Sequence, residues 1–521
     1  VKARIAEDMG QPAAALAALA SLASLAPQLP GLDRQIFEQA LAAGDLAAAR
    51  GAAGRLRQDG DRGFDTMLVL LVDAMRRSDW KTAQTYLAER PDKTGGDRVL
   101  RVIQPGFRAW IGVGAREQEP ERALLAAAGQ GRPEPAAAME AALVRLVSKR
   151  KTDAIALVED TVLTDRTSQL VALRLAATLD RAGEGAAAVA LRDRIALAAG
   201  TREDPLLLLP DQPVTTARGG AAQWLGLLAD GLSRTPGRPP RVALLFARAA
   251  HWLNDRDWMA QSALIEVLGR GGREQAALAM LEAERGALPP VLEMRRAELV
   301  EETGDAATAV RLAETAVAGR AAPRGLLIRF ADVARRAGDS AAAARAYTRL
   351  EASLGDDRED AALRGTLLIA RAELLLQADD WDSAQPLLEQ AVALRPDDPE
   401  ILNFAGYSAL ERRQNVKQAV TRLEAAWERE PQSAAITDSL GWAYVLTGRV
   451  AEAVPLLEKA ERGDPGNAVI VEHLGDAYWQ AGRRFEARNN WRAAALLADD
   501  AMAARLAAKL ADGLTPATMA P

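Results

Sequence analysis

The chain has no cysteine. Disulfides, thiolate nucleophiles and cysteine-built metal centres are therefore excluded. The compartment stays open, since a periplasmic protein can also lack cysteine. Histidine is nearly absent too, with only His251 and His473 among 521 residues. His473 follows Glu472 and precedes Asp476 by three, but a zinc site needs more ligands than that and no second histidine is near in sequence. No metal or cofactor site is expected. His251 sits beside Trp252 in an alanine-rich helix and is expected to be partly buried. Aromatic residues make up only 4% of the chain, which disfavours a sheet-rich fold. The net charge of −6 gives no general affinity for nucleic acid.

Long apolar runs are also missing. The longest uncharged stretch starts at Pro12 and ends before Asp33, and Pro27, Pro30 and Gly31 interrupt it. With Lys2 and Arg4 in front it has the outline of a signal-peptide core. It is read here as a repeat helix, because Gly10, Ala15 and Leu19 keep the spacing of Gly448, Ala453 and Leu457, and Glu7 and Asp8 do not suit a signal peptide's basic start. A start at Val1 leads to the expectation that an upstream piece was removed, one that held a signal peptide or a lipidated cysteine. No membrane-spanning helix stands out, so any membrane association is expected only through such an anchor.

What is abundant is small residues at a fixed period. The stretch from Ala434 to Asn467 reads AAITDSLGWAYVLTGRVAEAVPLLEKAERGDPGN. Gly441 lets a second helix approach the first, and Ala453 and Ala460 do the same from the second. Leu440, Tyr444 and Leu457 fill the space between them. Gly448 supplies the turn, and Pro465 follows where a missing N–H does no harm. Leu474, Gly475, Tyr478, Gly482, Ala487, Trp491 and Ala494 repeat the pattern at an offset of about 34 residues. Upstream, Gly406, Ala419, Leu423, Ala426 and Pro431 repeat it with one extra residue near Arg413. Ala384, Leu388, Ala391 and Pro396 repeat it again.

This spacing resembles the tetratricopeptide repeat. The resemblance implies an all-α, right-handed superhelical solenoid of about thirteen helical hairpins, linear, with a concave and a convex face. Residues 1–200 are expected to be degenerate hairpins and 201–218 a proline-rich connector. Residues 219–364 are read as further degenerate hairpins, 365–511 as a regular array and 512–521 as an irregular tail. The connector, TREDPLLLLPDQPVTTAR, has Pro205, Pro210 and Pro213 and cannot be a long helix. Its leucines pack on an adjacent helix, or the segment lies in the superhelical groove.

Nothing marks a catalytic constellation. The GRGG at Gly269 to Gly272 lacks the lysine and preceding strand of a phosphate loop. No nucleophile elbow or metalloprotease motif occurs. Two charged features remain. Residues 351–400 carry 13 acidic and 4 basic residues, a zone that attracts a basic partner or is merely a solvated face. The turn RTPGRPPR, with Arg234, Arg238 and Arg241, is a basic patch or an ordinary solvated turn.

The repeat resemblance implies that certain first-helix positions face the groove. Here they are Asn403 and Tyr407, Asp438 and Trp442, and Glu472, Asp476 and Trp479. Carboxylates beside aromatic rings can hold a peptide by hydrogen bonds and apolar contact. The competing reading is that Trp442 and Trp479 only pack between units. The asparagine-and-lysine clamp that some such repeats use for chaperone carboxy-termini is not matched, since acids stand where the lysines would be.

The segments NFAGYSALER from Asn403, ITDSLGWAYVLTGRVAEAVPLLEKA from Ile436 and EHLGDAYWQAGRRFEARNNWRAA from Glu472 resemble bacterial cell-envelope tetratricopeptide proteins, often lipoproteins. That family includes adaptors of carboxy-terminal processing proteases. The resemblance implies a non-catalytic periplasmic scaffold, associated with the outer membrane, whose partners include such a protease or a peptidoglycan hydrolase. The alternative is a regulatory or glycan-binding module of envelope polysaccharide export or assembly.

Overall fold

A glycine followed by an aspartate ends one helix and starts the next. At Gly44 the backbone turns left-handed with φ 85°, and Asp45 then accepts a hydrogen bond from the Ala48 N–H at 2.9 Å. The glycine supplies a conformation costly for other residues, and the aspartate satisfies a helix N–H that has no partner within the helix. The same pair recurs at Gly304 and Asp305. Repetition of such turns produces a chain of antiparallel hairpins.

The computed structural model describes residues 1–26, 28–89, 96–126, 133–200, 204–284, 286–319, 322–355 and 357–520. Among them are 29 α-helices, one short 3-10 turn and no strand. The protein is thus all-α and built of paired helices. None of the described helices is long and apolar enough to cross a membrane. The chain divides into two compact units, Val1–Ala342 and Ala343–Pro521.

In the first unit, Pro12–Leu25 is a helix that packs against the helices before and after it. Successive pairs follow from Leu32–Ala43 with Leu46–Gln58 to Arg166–Arg181 with Gly185–Ala199. Simple linear succession then breaks. The next hairpin, Ala217–Ser233 with Arg241–Leu253, turns back instead of stacking on the preceding pair. Its first helix packs along Gly96–Ala115, and its second along Phe64–Arg76 and Leu32–Ala43. Two glycine–tryptophan contacts explain the fit. Trp110 lies directly over Gly220, and Trp224 directly over Gly106, each so close that a Cβ on the glycine would overlap the ring. Phe107 meets Trp224 edge-on at 5.3 Å. Arg248 then caps Leu32–Ala43, donating to the carbonyls of Leu41 at 3.1 Å and Ala42 at 2.8 Å. These end-of-helix carbonyls have no partner within their own helix.

The proline-rich connector makes this return. Its residues 201–203 lie outside the described residues. Leu206, Leu209 and Val214 are buried, and the short turn Pro205–Leu208 packs on Arg166–Arg181 and Pro290–Glu302. The Val214 N–H donates to Thr178 Oγ1 at 2.9 Å, and Arg166 pairs with Asp204 at 2.5 Å. The leucines are therefore covered by neighbouring helices.

In the second unit the small residues sit where helices meet. A Cβ at Gly441 would stand 2.7 Å from Leu457 Cγ, and one at Gly406 2.9 Å from Leu423 Cγ. Ala419, Ala426, Ala453, Ala460, Ala487 and Ala494 are all buried. The repeat extends to polar contacts. The Tyr444 hydroxyl donates to Glu424 at 2.9 Å while Arg449 covers its ring and pairs with Glu424 and Glu452. At an offset of 34, Tyr478 donates to Glu458 at 2.8 Å, and Arg483 covers it and pairs with Glu458 and Glu486. A final unpaired helix, Asp500–Asp512, ends the unit, and residues 513–520 form turns.

Candidate functional site

The seven groove positions lie on the first helices of three consecutive pairs, Pro399–Glu411, Ala434–Leu446 and Ala468–Gln480. Spacings of three and four residues put them on one face of each helix. The structure gathers them into two clusters and leaves Asn403, Tyr407 and Trp479 at the margins.

The first cluster is Asp438, Trp442 and His473. The His473 ring is stacked on Trp442, with centroids 4.2 Å apart and planes 6° from parallel. Its Nδ1 lies 2.9 and 3.0 Å from the two Asp438 oxygens. All three are buried. Trp442 is fully buried in this stack.

The second cluster is Glu472 and Asp476, both fully buried. They face the last helix. Lys509 Nζ lies 2.7 Å from Glu472 Oε1 and 2.7 Å from both Asp476 oxygens. Arg505 forks onto Glu472 at 2.9 and 2.7 Å. Trp491 Nε1 donates to Asp476 at 2.8 Å, and the Ala520 N–H does so at 3.0 Å. Burial alone would raise both acids. Hydrogen bonds from Arg505 and Lys509 reverse this for Glu472, whose pKa is lowered; for Asp476 burial prevails and the pKa is raised. The last helix and the turns after it therefore take up this part of the groove, and these two carboxylates are spent on the chain itself.

Trp479 is partly buried beneath Arg484, whose guanidinium lies 3.9 Å from the ring centre. Gly513 passes against its other side, so close that a Cβ there would overlap the ring. Tyr407 is half-buried beside Glu411, and burial together with the neighbouring acids raises its pKa. Burial also raises Glu411. Asn403 Oδ1 and His473 Nε2 are buried and have no hydrogen-bond partner among the described residues.

The sequence reading missed Lys509, Arg505, Trp491 and the role of His473. A signal for the first two was present. Arg505 and Lys509 stand four apart on an alanine-rich helix, and two acids at inward positions require cations nearby. Among the described residues no group of three or more histidines and carboxylates is arranged to hold a metal ion.

Residues 375–441 match the family model of the tetratricopeptide repeat. This stretch is tetratricopeptide repeat. Repeats of this family bind protein or peptide partners, and the fold is that of an interaction scaffold. Solved structures similar to this chain include MamA from Desulfovibrio magneticus RS-1, at 20% identity over 33% of this chain and 94% of that one, TM-score 0.29. PilF of Pseudomonas aeruginosa is 18% identical over 37% of this chain and 85% of that one, TM-score 0.31. A Cut9–Hcn1 hetero-tetramer of the APC/C aligns over 99% of this chain and 95% of that one at 16% identity, TM-score 0.36. No curated protein matches the sequence.

Proposed function

We propose that this protein is a non-catalytic scaffold that holds an extended segment of a partner protein against Asn403, Tyr407 and Glu411. The carrying observation is the pair of unsatisfied atoms, Asn403 Oδ1 and His473 Nε2. Such groups cost free energy until paired. The His473 ring is held by Asp438 through Nδ1, which leaves Nε2 to be paired, and Asn403 Oδ1 is an acceptor. An extended segment offers backbone N–H donors at regular intervals.

The partner in this reading is a carboxy-terminal processing protease or a peptidoglycan hydrolase, and the compartment is the periplasm of a bacterial envelope. The support is the resemblance carried by the segments beginning at Asn403, Ile436 and Glu472. A photo-cross-linking residue at Tyr407 of the whole chain, used in envelope extract, tests the reading, with one at the exposed Glu430 as control. An envelope protease or hydrolase captured at Tyr407 and not at Glu430 is expected. Capture of oligosaccharide alone, equal capture at both positions, or recovery of the chain in the cytoplasmic fraction would overturn it.

A further inference from the structure

The returning hairpin of the first unit borders a half-open cavity of about 750 Å³ beside the Leu32–Ala43 helix. Phe37, Phe64, Val242 and Leu245 form its apolar walls, and Arg241 and Arg273 line it from two different helices. The volume falls in the usual range for small-ligand sites, which combine apolar walls with a few placed polar groups.

The charges in and around the cavity are unevenly paired. Three of its four acids are engaged, and the fourth, Glu38, faces Arg241 at 3.7 Å. Arg34 bridges Asp61 at 2.9 Å and Asp65 at 2.7 Å. Asp61 also accepts from Thr66 and from the Gly63 N–H. Glu7 accepts from Gln39 at 2.9 Å. The arginines are not engaged in the same way. The half-buried Arg273 guanidinium has no hydrogen bond or ion pair with any described residue. Arg238 acts on it as a like charge, and it acts so on Arg248. Arg238 donates to the Gly271 carbonyl at 2.5 Å, one turn residue away. Arg248 is buried, and its partners are the Leu41 and Ala42 carbonyls. Arg241 reaches an acid only at 3.7 Å, Glu38, with its own side chain almost wholly exposed.

Elsewhere in this unit buried arginines have carboxylates. Arg166 has Asp204 and Asp230, and Arg295 has Glu266, Glu298 and Glu302. Leaving Arg248 and Arg273 without one, beside the exposed Arg238, is costly, because like charges repel and burial strips water from the first two. Accordingly, burial and then the neighbouring Arg273 push Arg248 down to about 10, and burial and Arg238 lower Arg273. An anion would relieve the repulsion and accept the guanidinium forks.

We propose that this cavity binds a small amphiphilic anion, its apolar body against Phe37, Phe64 and Leu245 and its carboxylate or phosphate head on Arg241 and Arg273. The site is separate from the repeat face assigned above, so neither reading depends on the other. The basic turn RTPGRPPR supplies Arg241 directly and Arg238 as a neighbouring positive charge.

The test is calorimetric titration of the whole chain with dodecanoate, dodecyl phosphate and dodecanol, each below its aggregation limit. Both anions are expected to bind, and dodecanol about tenfold or more weaker, the scale of one charge-assisted hydrogen bond. Arg273→Gln is expected to weaken the anions by about the same factor without changing dodecanol. Arg273→Lys is expected to restore part of the loss. A third variant, Leu245→Trp, fills the cavity and is expected to abolish binding of all three, with circular dichroism reporting that all three variants stay folded. The preferred head group identifies the source, carboxylate or phosphate. Equal affinity for dodecanol and dodecanoate, full anion binding by Arg273→Gln, absence of anion binding, or binding of an acidic peptide in place of both anions would overturn the proposal.

Discussion

Glu140 offers the sharpest test of the energetics in the first unit. It lies on Pro135–Val147, 2% exposed, and among the described residues its one side-chain partner is Trp110, whose Nε1 donates to Oε1 at 2.6 Å. Among the described residues no cation pairs with it. Burial pushes its carboxyl up to about 8, against a weaker opposing pull from the Trp110 hydrogen bond. The folded protein therefore keeps the proton at neutral pH, while the unfolded chain releases it near the ordinary glutamate value of about 4.3. Below that value both states are protonated and the group contributes no pH dependence. Between there and about pH 8, stability falls as pH rises, because the unfolded state binds fewer protons. At about 1.4 kcal/mol per pH unit the full penalty is on the order of 5 kcal/mol, an upper value for a site able to relax. Glu140→Gln keeps an acceptor for Trp110 and removes the ionisation. It should leave stability nearly unchanged at pH 4.5 and raise it by about 2–5 kcal/mol at pH 8.5. Urea unfolding followed by circular dichroism at pH 4.5, 6.5 and 8.5 measures this. Equal pH slopes for the native chain and the variant would refute the argument.

Two further outcomes test the packing. Lys509→Met removes the cation between Glu472 and Asp476 and should cost about 3–5 kcal/mol, the scale for breaking a buried pair from one side. Hydrogen exchange of the amides in 500–520 should accelerate, and unchanged protection there would show that the last helix docks by apolar contact alone. Gly220→Ala places a Cβ within 2.3 Å of the buried Trp110 ring. It should lower stability by about 1–3 kcal/mol, as overpacking does; an unaltered unfolding midpoint would show that the returning hairpin is loosely held.

The regular units were legible because their cause is local. A glycine or alanine where two helices touch, a leucine or tryptophan opposite it and a turn glycine recur at a fixed period, and the Tyr444 and Tyr478 contacts show that period repeated in three dimensions. The inward positions were legible for the same reason, since helical spacing alone puts Asp438 with Trp442 and Glu472 with Asp476 on one face. What covers those positions was not. Lys509 lies 33 residues from Asp476 and 37 from Glu472, and their pairing depends on how the last helix folds over the array.

The sequence by itself determined that the protein is a series of small-residue helical hairpins, because each pair is held mainly by contacts within about one repeat length. Only the tertiary structure decided that the hairpin after the proline-rich connector returns to the earlier helices, and that the final helix takes up two of the expected binding carboxylates. Trp224 over Gly106 and Arg248 on the Leu41 and Ala42 carbonyls join residues far more than one repeat apart, and Lys509 reaches its two acids from a helix outside the regular pairs. No local period encodes such contacts; they form only where the folded surfaces match in shape and charge.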